Sequence, residues 1–233
     1  MKVKIADRIS EKYPELKIGV VVARGIDNSK KSEEIQKRVR EIEAKTREEI
    51  TPEEIVEIPV IARWREIYKS FGAKPGKFRN SVEALVKRVV RGDEIYKINA
   101  LVDIYNLISV KHVMTVGGED LEKIEGDLIL DFAKGNEEFI PLGSKENDSP
   151  WEGEVVYKDN KGVICRCWNW REAERTKLTK NTKNAVVVIE NPLPGQEDKL
   201  KSALEELKEL IEKYCGGECE IKILNKENLE VEI

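Results

Sequence analysis

Helix-type and strand-type segments occupy different parts of this chain, and that segregation constrains the fold more than any other sequence feature. Apolar residues recur at helical spacing in four stretches, at 29–50, 58–72, 80–92 and 98–113. From about residue 128, short β-rich runs and turns take over, namely "DLILDFA", "EFIPLG", "GEVVYKDNKGVICRCWNW" and "NAVVVIE". Helices and strands that are separated rather than alternating are typical of an α+β fold with a mostly antiparallel sheet system.

The remaining segments complete a single predicted domain over residues 1–233. A buried strand is predicted at 17–24 ("KIGVVVAR"), and "CEIKIL" and "LEVEI" are predicted strands after a C-terminal helix. We divide the domain into a strand and helices at 17–113, a β-rich part at 126–190, and a helix with strands at 195–233. The tetrad "DNKG" between two β-rich runs predicts a hairpin. No internal repeat, low-complexity segment or linker interrupts this order.

Composition excludes several classes of protein. Hydrophobic residues make up 40% and charged residues 37% of the chain, which is typical of a soluble folded protein with a charged surface. The net charge of −4 argues against indiscriminate nucleic-acid binding, although a local basic face is compatible with it. No stretch approaches the roughly 18 apolar residues of a membrane helix, and the start shows no signal-peptide pattern. We therefore expect a cytoplasmic protein that does not engage membranes.

Histidine and cysteine usage limits the available chemistry. His112 is the one histidine, so mechanisms that need two imidazoles are excluded. The four cysteines form the pairs "CRC" and "CGGEC", whose spacings differ from the usual zinc-binding C-x2-C. Free thiols are favoured over a structural metal, and we predict no metal or cofactor.

A basic stretch covers residues 63–91. It holds nine positive and two negative charges, and four aromatic residues are interleaved with them. Phosphate contacts combined with stacking on unpaired bases would use such a surface. The alternative is that the aromatics face the core and the charges are simply solvated. The positive residues are Arg63, Arg65, Lys69, Lys74, Lys77, Arg79, Lys87, Arg88 and Arg91, and the aromatic residues are Trp64, Tyr68, Phe71 and Phe78.

Polar and glycine residues around residues 99–118 form a second candidate. Asn99, Asp103 and Asn106 recur at i, i+4 and i+7, so one helix face could line a pocket or carry a structural hydrogen-bond network. Gly117 and Gly118 in "VGGED" would let a ligand approach the backbone closely, and a tight turn explains them equally well.

The stretch "CRCWNWREAERTKLT" is the third candidate. If "VICRCW" is a strand, Cys165 and Cys167 share one face while Arg166 and Trp168 share the other. The following residues place carboxylates among arginines, an arrangement suited to gripping an ammonium group or positioning a water. The tryptophans are equally explained as core residues.

Four segments in this order carry a resemblance to a known family: "FGAKPGKFRNSVEALVKRV", "INALVDIYNLISVKH", "VGGEDLEKIEGDLIL" and "CWNWREAERTKLTKNTKNAVVVIE". Together they resemble the free-standing homologues of the tRNA-binding, editing domain of the phenylalanyl-tRNA synthetase β subunit, over about residues 17–220. The resemblance implies a three-layered α+β structure containing a mostly antiparallel β-sandwich of unusual topology, flanked by helices. It also implies hydrolysis of the ester that links a wrong amino acid, tyrosine in the synthetase, to tRNA.

Site residues follow from the resemblance position by position. The family's pocket asparagine falls on Asn99, and its pocket glutamate falls on Glu174. The chain departs from the family at two places. Gly117 stands where the family has a pocket histidine, with His112 five residues earlier, and Glu172 with Ala173 replaces a pair of glycines.

The predicted function is therefore trans-editing of mischarged tRNA by ester hydrolysis. Glu174 would grip the α-ammonium group or the attacking water, and Asn99 and Asn106 would contact the substrate. The backbone at Gly117 and Gly118 would approach the carbonyl or the terminal adenosine. Lys74, Lys77 and Arg79 would bind phosphates of the tRNA acceptor end. The alternatives are a non-catalytic RNA- or amino-acid-binding module derived from the editing domain and a small-molecule site unrelated to tRNA; association with a synthetase or with a second copy is left open.

Overall fold

The computed structural model describes residues 1–30 and 32–233, which form six α-helices and ten strands. The helices are α1 (Asp7–Lys12), α2 (Glu33–Glu49), α3 (Pro59–Ser70), α4 (Ser81–Val90), α5 (Ala100–His112) and α6 (Glu197–Cys215). The strands are β1 (Lys2–Ile5), β2 (Lys17–Arg24), β3 (Thr115–Asp120), β4 (Leu128–Phe132), β5 (Val155–Lys158), β6 (Val163–Arg166), β7 (Arg171–Glu172), β8 (Ala185–Asn191), β9 (Glu218–Leu224) and β10 (Glu230–Glu232).

The strands form two sheets. The six-stranded sheet has the order β10-β1-β4-β5-β6-β7, and only its β1–β4 pair is parallel within the described chain. The four-stranded sheet has the order β3-β8-β2-β9 and is antiparallel throughout. Its two central strands pair over their full lengths, with Val20 opposite Val188.

Side-chain alternation along β8 explains how the layers assemble. Val186 and Val188 belong to one apolar cluster, which also contains residues of the six-stranded sheet such as Leu130. Val187 and Ile189 belong to a second cluster, which contains the apolar faces of α2, α5 and α6. Because successive residues of a strand point to opposite faces, β8 is buried on both sides. The layers are therefore sheet, sheet and helices, which confirms the expected α+β sandwich.

Most predicted elements form, with shifted ends. The strand predicted at 17–24 matches β2, and "DNKG" makes the β5–β6 hairpin, in which the Asp159 amide donates to the Gly162 carbonyl at 3.0 Å. The helix predicted at 29–50 begins at Glu33, and Lys31 lies outside the described residues. The Asn80 side chain caps α4 by accepting from the Glu83 amide at 2.8 Å, as the capping pattern predicts.

Not every local expectation is confirmed. "EFIPLG" forms no regular strand: it makes an isolated bridge from Pro141 to Ala173 and separate backbone hydrogen bonds with Val163, Glu172 and Glu174. "VGGED" is not a turn, because Gly117 and Gly118 lie inside β3, paired with Val188 and Val187 of β8. The sequence analysis also missed β1 and α1.

The aromatic and sulfur side chains are largely structural. Trp64, Tyr68 and Phe71 are buried in the core, so these aromatics of the basic stretch do not face solvent. All four cysteines are buried free thiols. Among the described residues, no cluster of three His, Cys, Asp or Glu is arranged to hold a metal ion, and no helix has the length and apolar character to cross a membrane.

A buried ion pair shapes the turn after β6. Arg166 donates from Nε and Nη2 to the two carboxylate oxygens of Glu154, at 3.0 and 2.8 Å, and both side chains are almost fully buried. The same carboxylate accepts from the Cys167 amide at 2.7 Å. Cys167 and Trp168 have φ angles of 44° and 68°, a left-handed conformation that is uncommon for such residues.

This turn overturns the predicted alternation of "VICRCW". Because β6 ends at Arg166 and two left-handed residues follow, Trp168 does not share a face with Arg166. It enters the same apolar cluster as Cys165, where its ring lies 5.0 Å from that of Trp64.

We expect the substitution Glu154→Gln to lower the free energy of unfolding by about 3 kcal/mol, because it removes the buried carboxylate that pairs with Arg166 and leaves that guanidinium only the exposed Asp148 carboxylate, at 2.7 Å. Glu125→Gln, which removes the exposed Glu125–Lys161 pair, is the matched control and should cost less than about 1 kcal/mol. Urea unfolding followed by circular dichroism measures both values. Equal losses in the two variants would contradict a special role for the buried pair.

Candidate active site

A narrow cavity of about 30 Å³ lies between the two sheets. Its walls come from β3 and β8 of one sheet, from β4–β7 of the other, from the turn at Trp168 and Asn169, and from Ser81 at the start of α4. A water molecule needs about 10–15 Å³ in such a cavity, so the volume suits about two waters. The lining is mostly apolar, with three glutamates among it, and we call this space the carboxylate cavity.

Strand register brings the three glutamates of the carboxylate cavity together. Glu190 of β8 pairs with Thr115 of β3, and Glu119 of β3 pairs with Val186 of β8. Residues directly opposite each other in a sheet share a face, so Glu119 and Glu190 both point away from the helical layer. Glu172 reaches the cavity from β7 in the facing sheet.

Glu119 and Glu172 form a carboxyl pair. Burial raises the pKa of both groups, and the charge of Glu172 raises the pKa of Glu119 further. The two side chains are close enough to share a proton, which is the arrangement that a buried pair of like charges favours. One oxygen of each, Oε2, is buried without a hydrogen-bond partner in the described chain. A proton shared between the two carboxyl groups would supply the hydrogen bond that these buried oxygens otherwise lack.

Gly117 leaves the space that Glu172 occupies. A Cβ atom at Gly117 would lie 3.1 Å from Glu172 Oε1. Any larger side chain at Gly117 would therefore displace this carboxyl group. The two places where the chain departs from the family it resembles, the glycine at 117 and the glutamate at 172, are thus in contact.

Glu190 is held by a polar network inside the cavity. It accepts from the Tyr157 hydroxyl at 2.8 Å and from Asn169 Nδ2 at 2.6 Å. Tyr68 in turn donates to Asn169 Oδ1 at 2.7 Å and so orients the amide. Burial raises the pKa of Glu190 to about 7, while the donors from Asn169 and Tyr157 act in the opposite direction.

The substrate residues suggested by the sequence are divided between the cavity and other places. Gly117 and Gly118 line the cavity. Asn99 does not line it: this residue caps α5, accepting from the Val102 amide at 3.1 Å and donating to the Leu178 carbonyl at 3.2 Å. Asn106 is half-buried further along α5 and is also absent from the lining.

Glu174 lies at the surface, about one third exposed, rather than in the cavity. It forms an ion pair with Lys177, and its Oε2 accepts from the Gly143 amide at 2.9 Å. These partners lower the pKa of Glu174, with the Gly143 amide contributing most. Glu172, two residues earlier, is the carboxylate of this stretch that enters the cavity.

The three residues suggested for RNA binding are exposed or half-exposed. Lys77 and Arg79 line a surface groove next to α4, and Lys74 lies outside it. No contact in the described chain ties Lys77 or Arg79 to a carboxylate. Arg63 and Arg65 of the same basic stretch are paired with Glu66 at 3.2 Å and Glu83 at 2.6 Å.

Sequence reasoning missed Glu119 and Glu190 as site residues. The available signal was a charged residue in or beside a strand that is otherwise apolar, as in "NAVVVIE" and "TVGGED". Charged side chains are rarely fully buried without a partner, so a glutamate in a strand buried on both faces indicates a specific environment.

We expect the pH dependence of stability to report the buried state of Glu190. Its raised pKa means that the folded state binds more protons than the unfolded state between about pH 4.5 and 7, so stability falls as pH rises through this window. Glu190 should lower the free energy of unfolding by about 3 kcal/mol between pH 4.5 and 8, and the Glu190→Gln variant should lack this contribution. The exposed Glu218→Gln variant should retain the wild-type profile. Parallel urea-unfolding profiles for wild type and Glu190→Gln would show that Glu190 is already ionised at low pH.

Comparison with known proteins places the chain in a family. Residues 63–216 match the model of the B3/4 domain. An N-terminal fragment of the phenylalanyl-tRNA synthetase β subunit from Pyrococcus horikoshii is similar in structure over 93% of this chain, with 14% sequence identity and a TM-score of 0.46. The chain spans 49% of that fragment. No curated protein matches the sequence. Because the family model matches more than half of the chain, the predicted resemblance is confirmed, and this chain belongs to the B3/4 domain family, the domain type of the phenylalanyl-tRNA synthetase β subunit.

Proposed function

We propose that this protein hydrolyses the ester bond of mischarged aminoacyl-tRNA, acting as a separate editing enzyme. The observation that carries the proposal is the Glu119–Glu172 carboxyl pair, which lines a cavity of a B3/4 domain. An aminoacyl ester presents an ammonium group beside the reacting carbonyl. Buried carboxylates suit both the binding of that ammonium group and the activation of a water molecule.

The carboxyl pair is suited to general-base catalysis. While Glu119 and Glu172 share one proton, the other carboxylate position can accept a proton from water as the water attacks the ester carbon. The bond from that carbon to the ribose oxygen then breaks, and the ribose oxygen takes up the proton that the carboxyl pair accepted from the water. The products are the free amino acid and the uncharged tRNA. Glu190, when ionised, would bind the α-ammonium group beside the reacting carbonyl.

Loss of the family's pocket histidine is compatible with this mechanism. The resemblance places that histidine at position 117, and the Glu172 carboxyl occupies the space beside Gly117. Burial raises the pKa of the Glu172 carboxyl group, which makes its ionised form a stronger base. We therefore propose that Glu172 performs the role that an imidazole would perform at position 117.

Cavity size bears on the identity of the amino acid. The free space of about 30 Å³ suits about two waters, so the lining must move to admit any aminoacyl ester, and it must move furthest for a tyrosine ring. We therefore do not carry the tyrosine specificity implied by the resemblance over to this chain. We expect the esters with the smallest side chains to be hydrolysed fastest.

The test is a deacylation screen with correctly and incorrectly charged tRNAs, from glycyl to tyrosyl. Glu172→Gln should reduce the rate at least about 100-fold, because it removes the base while keeping the side-chain shape. Glu174→Ala is the matched comparison, since the catalytic role that the resemblance implies for Glu174 is still a prediction. Loss of activity in Glu174→Ala alone would show that Glu174, rather than Glu172, is the base.

The same screen decides between an enzyme and a binding module. If no aminoacyl ester is hydrolysed while tRNA still binds measurably, the proposal fails and the non-catalytic RNA-binding module is the better description. Unchanged thermal unfolding of each variant, followed by circular dichroism, ensures that lost activity does not reflect lost structure.

A further inference from the structure

A groove of about 290 Å³ runs along α4 on the protein surface. Five of its lining residues are cationic, against a single carboxylate, Asp93. We call it the basic groove. Its cations and its aromatic residue are Lys77, Arg79, Lys87, Arg88, Arg91 and Trp170.

The cations of the basic groove are not neutralised within the described chain. None of the five takes part in an ion pair there, although Arg65 next to the groove is paired with Glu83 at 2.6 Å. Burial, together with the neighbouring Arg79 and Arg91 guanidiniums, lowers the pKa of Lys87. Cations held this close together repel one another, and an anionic ligand would relieve that repulsion.

The helix macrodipole explains only part of this cluster. Lys87, Arg88 and Arg91 lie at the end of α4, where positive charge is favourable in any protein. Lys77 and Arg79 precede the start of the same helix, where the macrodipole disfavours positive charge. The groove therefore concentrates positive charge along the whole helix for a reason other than helix stability.

Aromatic surfaces accompany the charges. Trp170 is half-buried in the groove and is supported by Phe78, whose ring centre lies 4.7 Å away. Tyr96 is 64% exposed, and the Arg88 guanidinium lies 3.8 Å from its ring centre. Aromatic faces beside a positive track are the features that bind single-stranded nucleic acid, because every base can stack on them.

The basic groove adjoins the carboxylate cavity at two chain segments. Arg79 in the groove is two residues from Ser81 in the cavity wall, and Trp170 directly follows Asn169 of the cavity wall. Helix α4 has ten residues and is therefore about 15 Å long. This length spans about four nucleotides at their stacked spacing of 3.4 Å.

We propose that the basic groove binds the single-stranded end of an RNA and brings its terminal ribose next to the carboxylate cavity. This inference rests on the proposed function, because the cavity would receive the ester that the RNA end carries. It adds Lys87, Arg88, Arg91, Trp170 and Tyr96 to the residues suggested by the sequence. Sequence-independent binding is expected, since backbone phosphates and base faces are the groups recognised.

Binding can be measured by fluorescence anisotropy with a labelled 12-nucleotide single-stranded RNA and with the blunt duplex of the same sequence. The variant Lys87→Gln/Arg91→Gln should weaken single-strand binding at least about tenfold. The plot of the logarithm of the binding constant against the logarithm of the salt concentration should also become less steep by about 1.4. Lys37→Gln/Lys45→Gln on α2 is the matched control, since both lysines are exposed and the charge change is equal. Lys77→Gln/Arg79→Gln provides a second groove variant if the first unfolds.

Two results would overturn the proposal: groove variants that bind RNA as the control does, and duplex that binds as tightly as the single strand. Hydrolysis of a 3′-aminoacyl-adenosine, which has no phosphates, separates this inference from the proposed function. If the groove variants hydrolyse this small ester normally but act poorly on aminoacyl-tRNA, both ideas are supported. RNA binding that depends on the groove, without hydrolysis of either ester, would support the groove and reject the enzyme.

Discussion

The ion pair between Glu154 and Arg166 is the interaction on which both candidate sites depend. Both side chains are buried, and the guanidinium donates two hydrogen bonds to the carboxylate. The Glu154 carboxylate also accepts a hydrogen bond from the backbone amide of Cys167. Without this anchor two successive left-handed residues would be unfavourable, since each costs of the order of 1–3 kcal/mol. The turn so formed sends Trp168 into the core, Asn169 into the cavity and Trp170 to the surface groove. One local electrostatic contact thereby positions the residues that connect the cavity to the groove.

Burial gives the cavity its chemical character. Glutamates are ordinary surface residues, but between two sheets their ionised forms are disfavoured and their pKa values rise. The Glu172 carboxyl group has room in the cavity because its neighbour, Gly117, has no side chain. In the function proposed above, the family's domain is retained while Glu172 takes the role of the base.

Periodicity and capping made much of the fold predictable, and long-range pairing limited what could be predicted of the site. The strand at 17–24 and the Asn80 cap follow from residues that are close in sequence. Glu119 and Glu190 line the same cavity because β3 and β8 pair across about 70 residues, which no local pattern encodes. Glu172 and Glu174 would share a face in a regular strand, but β7 ends at Glu172 and the chain then turns to the surface. Which of the two glutamates enters the cavity therefore depends on where β7 ends, and the tertiary structure determines that end.

The sheet topology also determines when a binding site can exist during folding. Strand β2 pairs with β8 and β9, partners more than 160 residues away, and β1 pairs with β4 and β10. Such non-local pairing makes folding slow, because chain closure must precede the contacts that stabilise it. The cavity needs both sheets, so a partly assembled chain has no ligand site. Ligand affinity is therefore coupled to completion of the whole sandwich, and a ligand would select fully folded molecules from the population.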